Sequence, residues 1–185
     1  GIVQRVMGKN VSVNLGKADG ILSENEQVKG EEFEPTERIK VYILEVKDTP
    51  KGPRILLSRT HPGLVKRLFE SEVAEVKDGT VEIKSIAREA GSRTKIAVWS
   101  NDPDVDPVGA CVGMNGARVN SIVEELRGEK IDIINWDENP AILIENALSP
   151  AKVIAVMADP DEKTALVVVP DYQLSLAIGK EGQNA

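Results

Sequence analysis

Two four-residue stretches offer this sequence its clearest chemistry: Gly113-Met114-Asn115-Gly116 and Gly179-Lys180-Glu181-Gly182. Each G-x-x-G follows a short apolar run. Val108, Ala110, Cys111 and Val112 precede the first; Leu174, Leu176, Ala177 and Ile178 precede the second. After the first, Val119, Ile122, Val123 and Leu126 recur at the spacing of one helix face. The glycines therefore sit between two helices, where a tight turn needs positive φ and a close approach needs no Cβ. Such a turn presents the free N–H groups that open the second helix, a natural seat for a phosphate. Met114 and Asn115 bring no cation, so the first grip rests on backbone N–H groups and Arg118. At the second, Lys180 and Glu181 partly cancel. Arg88, Arg93 and Lys95 cluster around one predicted loop and are a further candidate phosphate contact, with a solvated hairpin tip as the plain alternative.

Other reactive side chains are sparse. Cys111 and His61 are the sole thiol and imidazole, and Cys111 lies in an apolar run, where a buried small hydrophobe is expected. A zinc site needs three or four convergent ligands, which one Cys and one His do not supply. Asp102, Asp104 and Asp106 alternate with Pro103, Val105 and Pro107 without the glycine and distal Glu of a calcium loop, and so predict a polar loop. Trp99 and Trp136 end predicted strands, as core-edge aromatics or base-stacking platforms. No catalytic constellation emerges, and neither enzyme activity nor a cofactor or metal is expected.

Composition bounds the rest. The chain has 185 residues, 41% hydrophobic and 29% charged, with a net charge of −7. That length suits one large domain or two to three small ones. One cysteine excludes an internal disulfide and fits a reducing, cytoplasmic setting. No apolar run approaches the ~18 residues of a membrane span, and nothing at the start reads as a signal peptide. The chain reads as part of something longer. Lys+Arg against Asp+Glu runs 10 to 9 over residues 1–61, 10 to 15 over 62–138 and 3 to 6 over 139–185. Polyanion binding is then local rather than general, and acidic surface is left for protein partners.

The elements that must hold the two turns can be read in chain order. Residues 1–58 are predicted all-β: Gly1 to Val6, then Val11, Val13 and Leu15 alternating with polar residues, then Ile21-Leu22 after a glycine-bounded turn. Next come Ile39, Val41 and Ile43 alternating with Lys40, Tyr42 and Leu44, a turn at Pro50 to Pro53, and Ile55 to Ser58. Short strands with strong turns over about sixty residues suggest a small OB-like barrel, its first strand incomplete. Pro62 opens a helix bearing Leu64, Val65, Leu68 and Phe69, with Thr60 available as its cap. A strand at Val81 to Ile86, a loop from Arg88 to Arg93, a strand at Thr94 to Trp99, the G-x-x-G helices and a strand at Lys130 to Trp136 give α-β-β-α-α-β. Asn139-Pro140 starts the order again, with strands at Val153 to Ala158 and Ala165 to Val169. The two turns lie 66 positions apart and align Cys111 with Ala177 and Val112 with Ile178. This is an internal repeat, its second copy stopping before a last helix and strand. A G-x-x-G turn in that setting is the arrangement of a KH domain, whose loop clamps about four nucleotides of backbone.

The order of an S1-type OB barrel (1–60) and two prokaryotic type II KH domains (61–138, and a truncated 139–185) resembles the NusA family of bacterial transcription factors. Ile55 to Pro62, Ile86 to Gly91, Val105 to Gly113 and Gly128 to Ile133 resemble it at the residue level, and the likeness covers essentially the whole chain. The fold class is then α+β and multidomain. The resemblance implies an RNA-binding factor that rides on RNA polymerase and modulates pausing, termination and antitermination. Its partners would be single-stranded nascent RNA, polymerase and other antitermination factors, with no membrane. The family's polymerase-binding domain would lie before Gly1. Where S1-type domains stack bases on two aromatics and a histidine, this chain has Lys9, Ser12 and Ser23, which predicts a weak barrel contact with RNA. Two rival readings are an appendage of a phosphorolytic exoribonuclease, which would carry one KH domain before the S1-type domain, and a protein scaffold whose loops touch no RNA.

Overall fold

The computed structural model describes all residues from Gly1 to Ala185. Its first 58 residues form a five-stranded sheet. The strands are β1 (Ile2–Met7), β2 (Asn10–Asn14), β3 (Asp19–Leu22), β4 (Tyr42–Thr49) and β5 (Gly52–Ser58). Their order is β1-β2-β3-β5-β4, with β3 and β5 parallel and the other neighbours antiparallel. Val3, Val11, Val13, Leu22, Phe33, Ile39 and Leu57 fill its core. A Cβ on Gly20 would stand 2.5 Å from Leu57 Cδ1, so the close approach of β3 and β5 requires glycine there.

The free edge of β1 is covered rather than open. Val3 N–H donates to Glu37 O (2.8 Å), Thr36 N–H to Val3 O (2.8 Å) and Ile39 N–H to Gly1 O (3.0 Å). That pairing explains a difference from the sequence expectation: the strand predicted from Ile39 begins at Tyr42, because residues 36–39 are committed to β1. Pro53, expected in a turn, lies inside β5. It pairs with Asp48 of β4 and lies outside the Ile55–Leu57 stretch that meets β3, so its missing N–H breaks no bond to β3.

The next stretch contains α1 (Pro62–Glu72), α2 (Ala74–Lys77), β6 (Val81–Glu89), β7 (Arg93–Ser100), α3 (Pro107–Val112), α4 (Ala117–Glu125) and β8 (Lys130–Asn135). The sheet order is β6-β7-β8, antiparallel then parallel. Leu64, Val65, Leu68 and Phe69 of α1 meet Val81, Ile96, Val98, Cys111, Ile122 and Leu126 in one core. With Pro62 at the first helical position, the cap falls on His61 rather than Thr60. His61 Nδ1 accepts from Gly63 N–H (2.9 Å), while Thr60 Oγ1 turns to Glu26. The expected loop from Arg88 to Arg93 shrinks to Ala90–Ser92, since β6 runs on to Glu89.

The order then repeats with α5 (Pro140–Leu148), β9 (Ala155–Asp159), β10 (Thr164–Val168) and α6 (Leu174–Ile178). Asn139 caps α5, accepting from Ala141 N–H at 3.0 Å. Asp106 does the same for α3 with Val108 N–H at 3.2 Å, so the aspartates near Pro103 shape backbone. Cys111 and Ala177, aligned by the repeat, are both buried.

Polar keys join these parts. Between the first sheet and the unit from α1 to β8, Arg59 is 1% exposed and bonds Glu31 through Nε (2.7 Å) and Nη2 (2.9 Å). It also reaches Lys40 O (2.7 Å) and Glu125 O (3.0 Å). Arg127 donates to Glu32 O and Glu37 and lies over the Phe33 ring. Between the two copies, Lys95 Nζ donates to Ala147 O at the end of α5, and Asn146 Nδ2 to Asn135 O (3.1 Å).

Candidate nucleic-acid interface

The two G-x-x-G turns have the same backbone. Gly113 has φ 77° and ψ 175°, and Gly179 has φ 78° and ψ 166°. The third residues, Asn115 (φ 52°, ψ 28°) and Glu181 (φ 55°, ψ 24°), are left-handed, and so are the closing glycines, Gly116 (φ 75°) and Gly182 (φ 74°). Three left-handed positions in four residues are strained for L side chains and are met here by two glycines and one residue between them. A Cβ at Gly113 would lie 2.8 Å from Arg118 Cγ and 3.0 Å from Arg118 N, which explains its identity sterically. Gly116 forms the N-cap of α4, and no side chain caps that helix. Gly116 N–H is taken by Gly113 O and Ala117 N–H by Met114 O, and the partial positive charge of the helix start adjoins Met114, 85% exposed. Asn115, Lys180 and Glu181 are also exposed. This surface can hold a phosphodiester oxygen without a charged side chain.

The basic residues expected near the turns fall into different places. Arg118 stays beside its loop, but Nη1 donates to Ala110 O and to Glu75, both at 2.8 Å, so it braces α3 against α2. Arg88 is turned inward: its side chain and that of Glu129 are both 0% exposed. Glu129 accepts from Arg88 Nε (3.1 Å), Arg88 Nη2 (3.0 Å), Gly91 N–H (2.7 Å) and Thr94 Oγ1 (2.7 Å). Arg88 Nη1 donates to His61 O (2.9 Å). This corrects the phosphate assignment, for Arg88 is an internal strut of the β6–β7 hairpin. Arg93 pairs with Asp132 at 2.6 Å, and that hydrogen bond holds its pKa above the ordinary value. Lys95 contacts the C-terminal end of α5. Burial lowers its pKa, with Asp132 acting against the shift and Arg93 with it. A cation at a helix C-terminus is stabilising, and here it fixes the two copies together.

Trp99 and Trp136 pack edge to face with centroids 5.8 Å apart, and Lys84 Nζ lies 5.1 Å from the Trp136 ring. Trp99 is 43% exposed, and the pair packs on itself outside the two buried clusters. Two residues went unmarked by sequence reasoning. Glu129 resembles any surface carboxylate beside a glycine. Gln183, after the second turn, donates to Glu89 Oε2 (3.0 Å) and Ser92 Oγ (2.7 Å), partners over 90 positions away that no local pattern predicts.

Two α-β-β-α units, each presenting a G-x-x-G turn of the same conformation, define a tandem KH protein. Comparison with known families agrees in detail. A profile described as a NusA-like first KH domain matches residues 59–136, and one described as a NusA-like second KH domain matches residues 140–185. The whole chain aligns with proteins named transcription termination/antitermination protein NusA. It is 61% identical to the one from Bacillus subtilis over 185 residues, 50% to that of Mycobacterium bovis over 194 and 48% to that of Thermus thermophilus over 185. This chain belongs to the NusA family. It spans 50%, 56% and 48% of the length of those three relatives.

Proposed function

We propose that this chain is the RNA-binding part of a transcription elongation factor. The whole factor associates with RNA polymerase in the cytoplasm and modulates pausing, termination and antitermination without catalysing a reaction. Its parts are an S1-type OB domain at 1–60, a KH domain at 61–138 and a second at 139–185. The strand order β1-β2-β3-β5-β4, its parallel β3/β5 pair and the covered β1 edge support the OB reading. Lys9, Ser12 and Ser23 offer no stacking ring, and Glu24, Glu31, Glu32 and Glu34 line a groove on that domain, so the barrel contributes little grip on RNA. Single-stranded nascent transcript is held by Gly113, Met114, Asn115 and Gly116, and again by Gly179, Lys180, Glu181 and Gly182. Arg118 braces the first loop, and Arg93 and Lys95 line a pocket with Gln183 and Asn184 beside the second. Other antitermination factors are partners through the acidic surface.

The observation that carries this reading is the shared left-handed trace of the two turns, the first feeding an uncapped nine-residue helix. Replacing Gly113 and Gly116 with Asp sets a Cβ and a negative charge where the phosphate sits. RNA binding at the first loop falls more than tenfold, about 1.4 kcal/mol. Because the Gly113 Cβ meets α4, a second variant, M114D/N115D, adds the charge at two exposed positions whose backbone tolerates Asp. Its melting transition stays near the parent's while affinity falls by the same order. A folded M114D/N115D protein that binds single-stranded RNA as tightly as the parent overturns the clamp and favours a scaffold with RNA-free loops.

A further inference from the structure

The two loops share a conformation but not their supports. The first is held within its own unit: Arg118 packs over Gly113 and ties to Ala110 O and Glu75. In the second copy Asn184 stands at the position of Arg118, packed over Gly179 in the same way. Its Oδ1 is buried with no partner, so it supplies no equivalent tie. A different residue does. Gln183 Nε2 donates to Glu89 Oε2 and Ser92 Oγ, both in the hairpin of the first KH unit. The matching position in the first copy is Ala117, which has no amide to offer.

Both ends of this tie are firm. Gln183 N–H donates to Lys180 O (3.1 Å) and Asn184 N–H to Ile178 O (3.0 Å), so the Gln183 backbone is part of the loop's own hydrogen-bonding. On the other side, Ser92 N–H donates to Glu89 O (3.0 Å), Lys130 N–H donates to Ser92 O (3.0 Å), and Gly91 N–H bonds Glu129. Glu129 in turn is locked to Arg88 out of solvent. The hairpin is therefore a fixed platform rather than a waving tip. It meets the second loop one residue past Gly182.

We propose that Gln183 is a positioning residue for the second G-x-x-G loop: its amide ties that loop to Glu89 and Ser92, so the first KH unit sets the geometry with which the second grips RNA. The inference rests on the RNA reading above and goes beyond it. Glu89 and Ser92 control affinity at the second loop without touching RNA. Engagement of the two loops by one strand is favoured because their spacing is fixed before RNA arrives.

The test uses the 185-residue chain and two single-stranded oligonucleotides, one long enough to span both loops and one limited to the first. In Q183E a carboxylate faces Glu89 and the tie breaks. In E89Q/Q183E the donor and acceptor exchange sides, the net charge returns to the parent's, and the tie is restored. E89A/S92A removes the partners while leaving the loop sequence intact. Expected is a loss of about fivefold to tenfold on the long oligonucleotide for Q183E and E89A/S92A. The short one is unchanged, and E89Q/Q183E recovers to within about twofold of the parent. Amide hydrogen exchange over residues 179–184, measured without RNA, quickens in the first two variants and recovers in the exchange variant. Unchanged exchange and long-strand affinity in E89A/S92A overturn the tie. Equal weakness of Q183E and E89Q/Q183E also overturns it, by making Gln183 itself an RNA contact. A parent that binds neither oligonucleotide overturns the RNA reading along with it, whereas a parent that binds and ignores Glu89 and Ser92 leaves that reading standing.

Discussion

Cys111 is fully buried where α3 meets the core, two residues before the first loop. Burial pushes its thiol from an ordinary 9.0 up to about 11, with Arg118 pulling the other way and Glu75 and Asp106 reinforcing the rise. The thiolate is the reactive form, so alkylation at neutral pH is slow in the native chain and fast once denaturant unfolds it. A mass measurement of labelled protein across a denaturant series reads this. The sign for stability comes from linkage. A group whose folded pKa lies above its unfolded one stabilises fully below the unfolded value, and that contribution is lost as pH rises through the folded value. The parent therefore loses stability between about pH 9 and 11 more steeply than C111A, and equal slopes for the two overturn the assignment. On the loop itself, Met114 is an apolar tip where the second copy has Lys180. Met114→Lys raises RNA affinity about twofold to fivefold and steepens the log–log salt dependence by about 0.7, the release expected for one added contact with a single strand. A gain in affinity with an unchanged slope would mean that the new ammonium meets something other than phosphate.

The β6–β7 hairpin shows how far the sequence could be followed. The spacing Val81, Ile83, Ile86 skips one residue, and the structure has a register shift between Ile83 and Ser85. Past that bulge the inward set continues as Ile86 and then Arg88, so the sequence already held the signal that Arg88 points inside. It was masked because Glu129, the partner that makes burial of a guanidinium tolerable, lies 41 positions away. Glu129→Gln removes one charge from a pair that is 0% exposed on both sides. Breaking such a pair costs about 3–5 kcal/mol, read as a fall in the denaturant midpoint, and a loss under about 1 kcal/mol would show that the charge is not needed. Local signals were legible for the same reason that this one was not. Asn139-Pro140 marks a helix start from adjacent residues, Asp106-Pro107 does so too although the reading of a polar loop passes over it, and the α-β-β-α-α-β order comes from periodicity. The late start of β4 and the tie at Gln183 depend on partners set by tertiary packing, which spacing does not encode.

Across the whole molecule, the first sheet and the first KH unit keep separate buried clusters, and besides Tyr42, which packs on the KH cluster, their joint is built from charged groups. Arg59 is the centre of that joint. Burial works against its charge, but the hydrogen bonds and charges of Glu31 and Glu125 outweigh the penalty and hold its pKa above the ordinary value. Glu31 is 5% exposed in its side chain and has its two oxygens on Arg59. Lys40 N–H donates to Glu125 Oε1 (2.9 Å), which fastens the segment before β4 to α4. Arg59→Ala therefore strands a buried carboxylate and opens the Lys40 and Glu125 contacts at once, while the two apolar cores keep their own residues. Removing one partner of a buried pair costs about 3–5 kcal/mol, and the loss falls on the joint. The parent tumbles as one body of 20.1 kDa, with uniform rotational correlation times from 15N relaxation across β1–β5 and the KH units. In Arg59→Ala, residues 1–58 acquire a shorter correlation time than residues 62–178, and thermal unfolding separates into two steps. RNA affinity on a strand spanning both loops changes less than about twofold, because Gly113–Gly116 and Gly179–Gly182 lie on the other side of the joint. Uniform relaxation in a folded Arg59→Ala chain would show that Arg127, Phe33 and the Tyr42–His61 stack (centroids 4.6 Å apart) hold the joint without it.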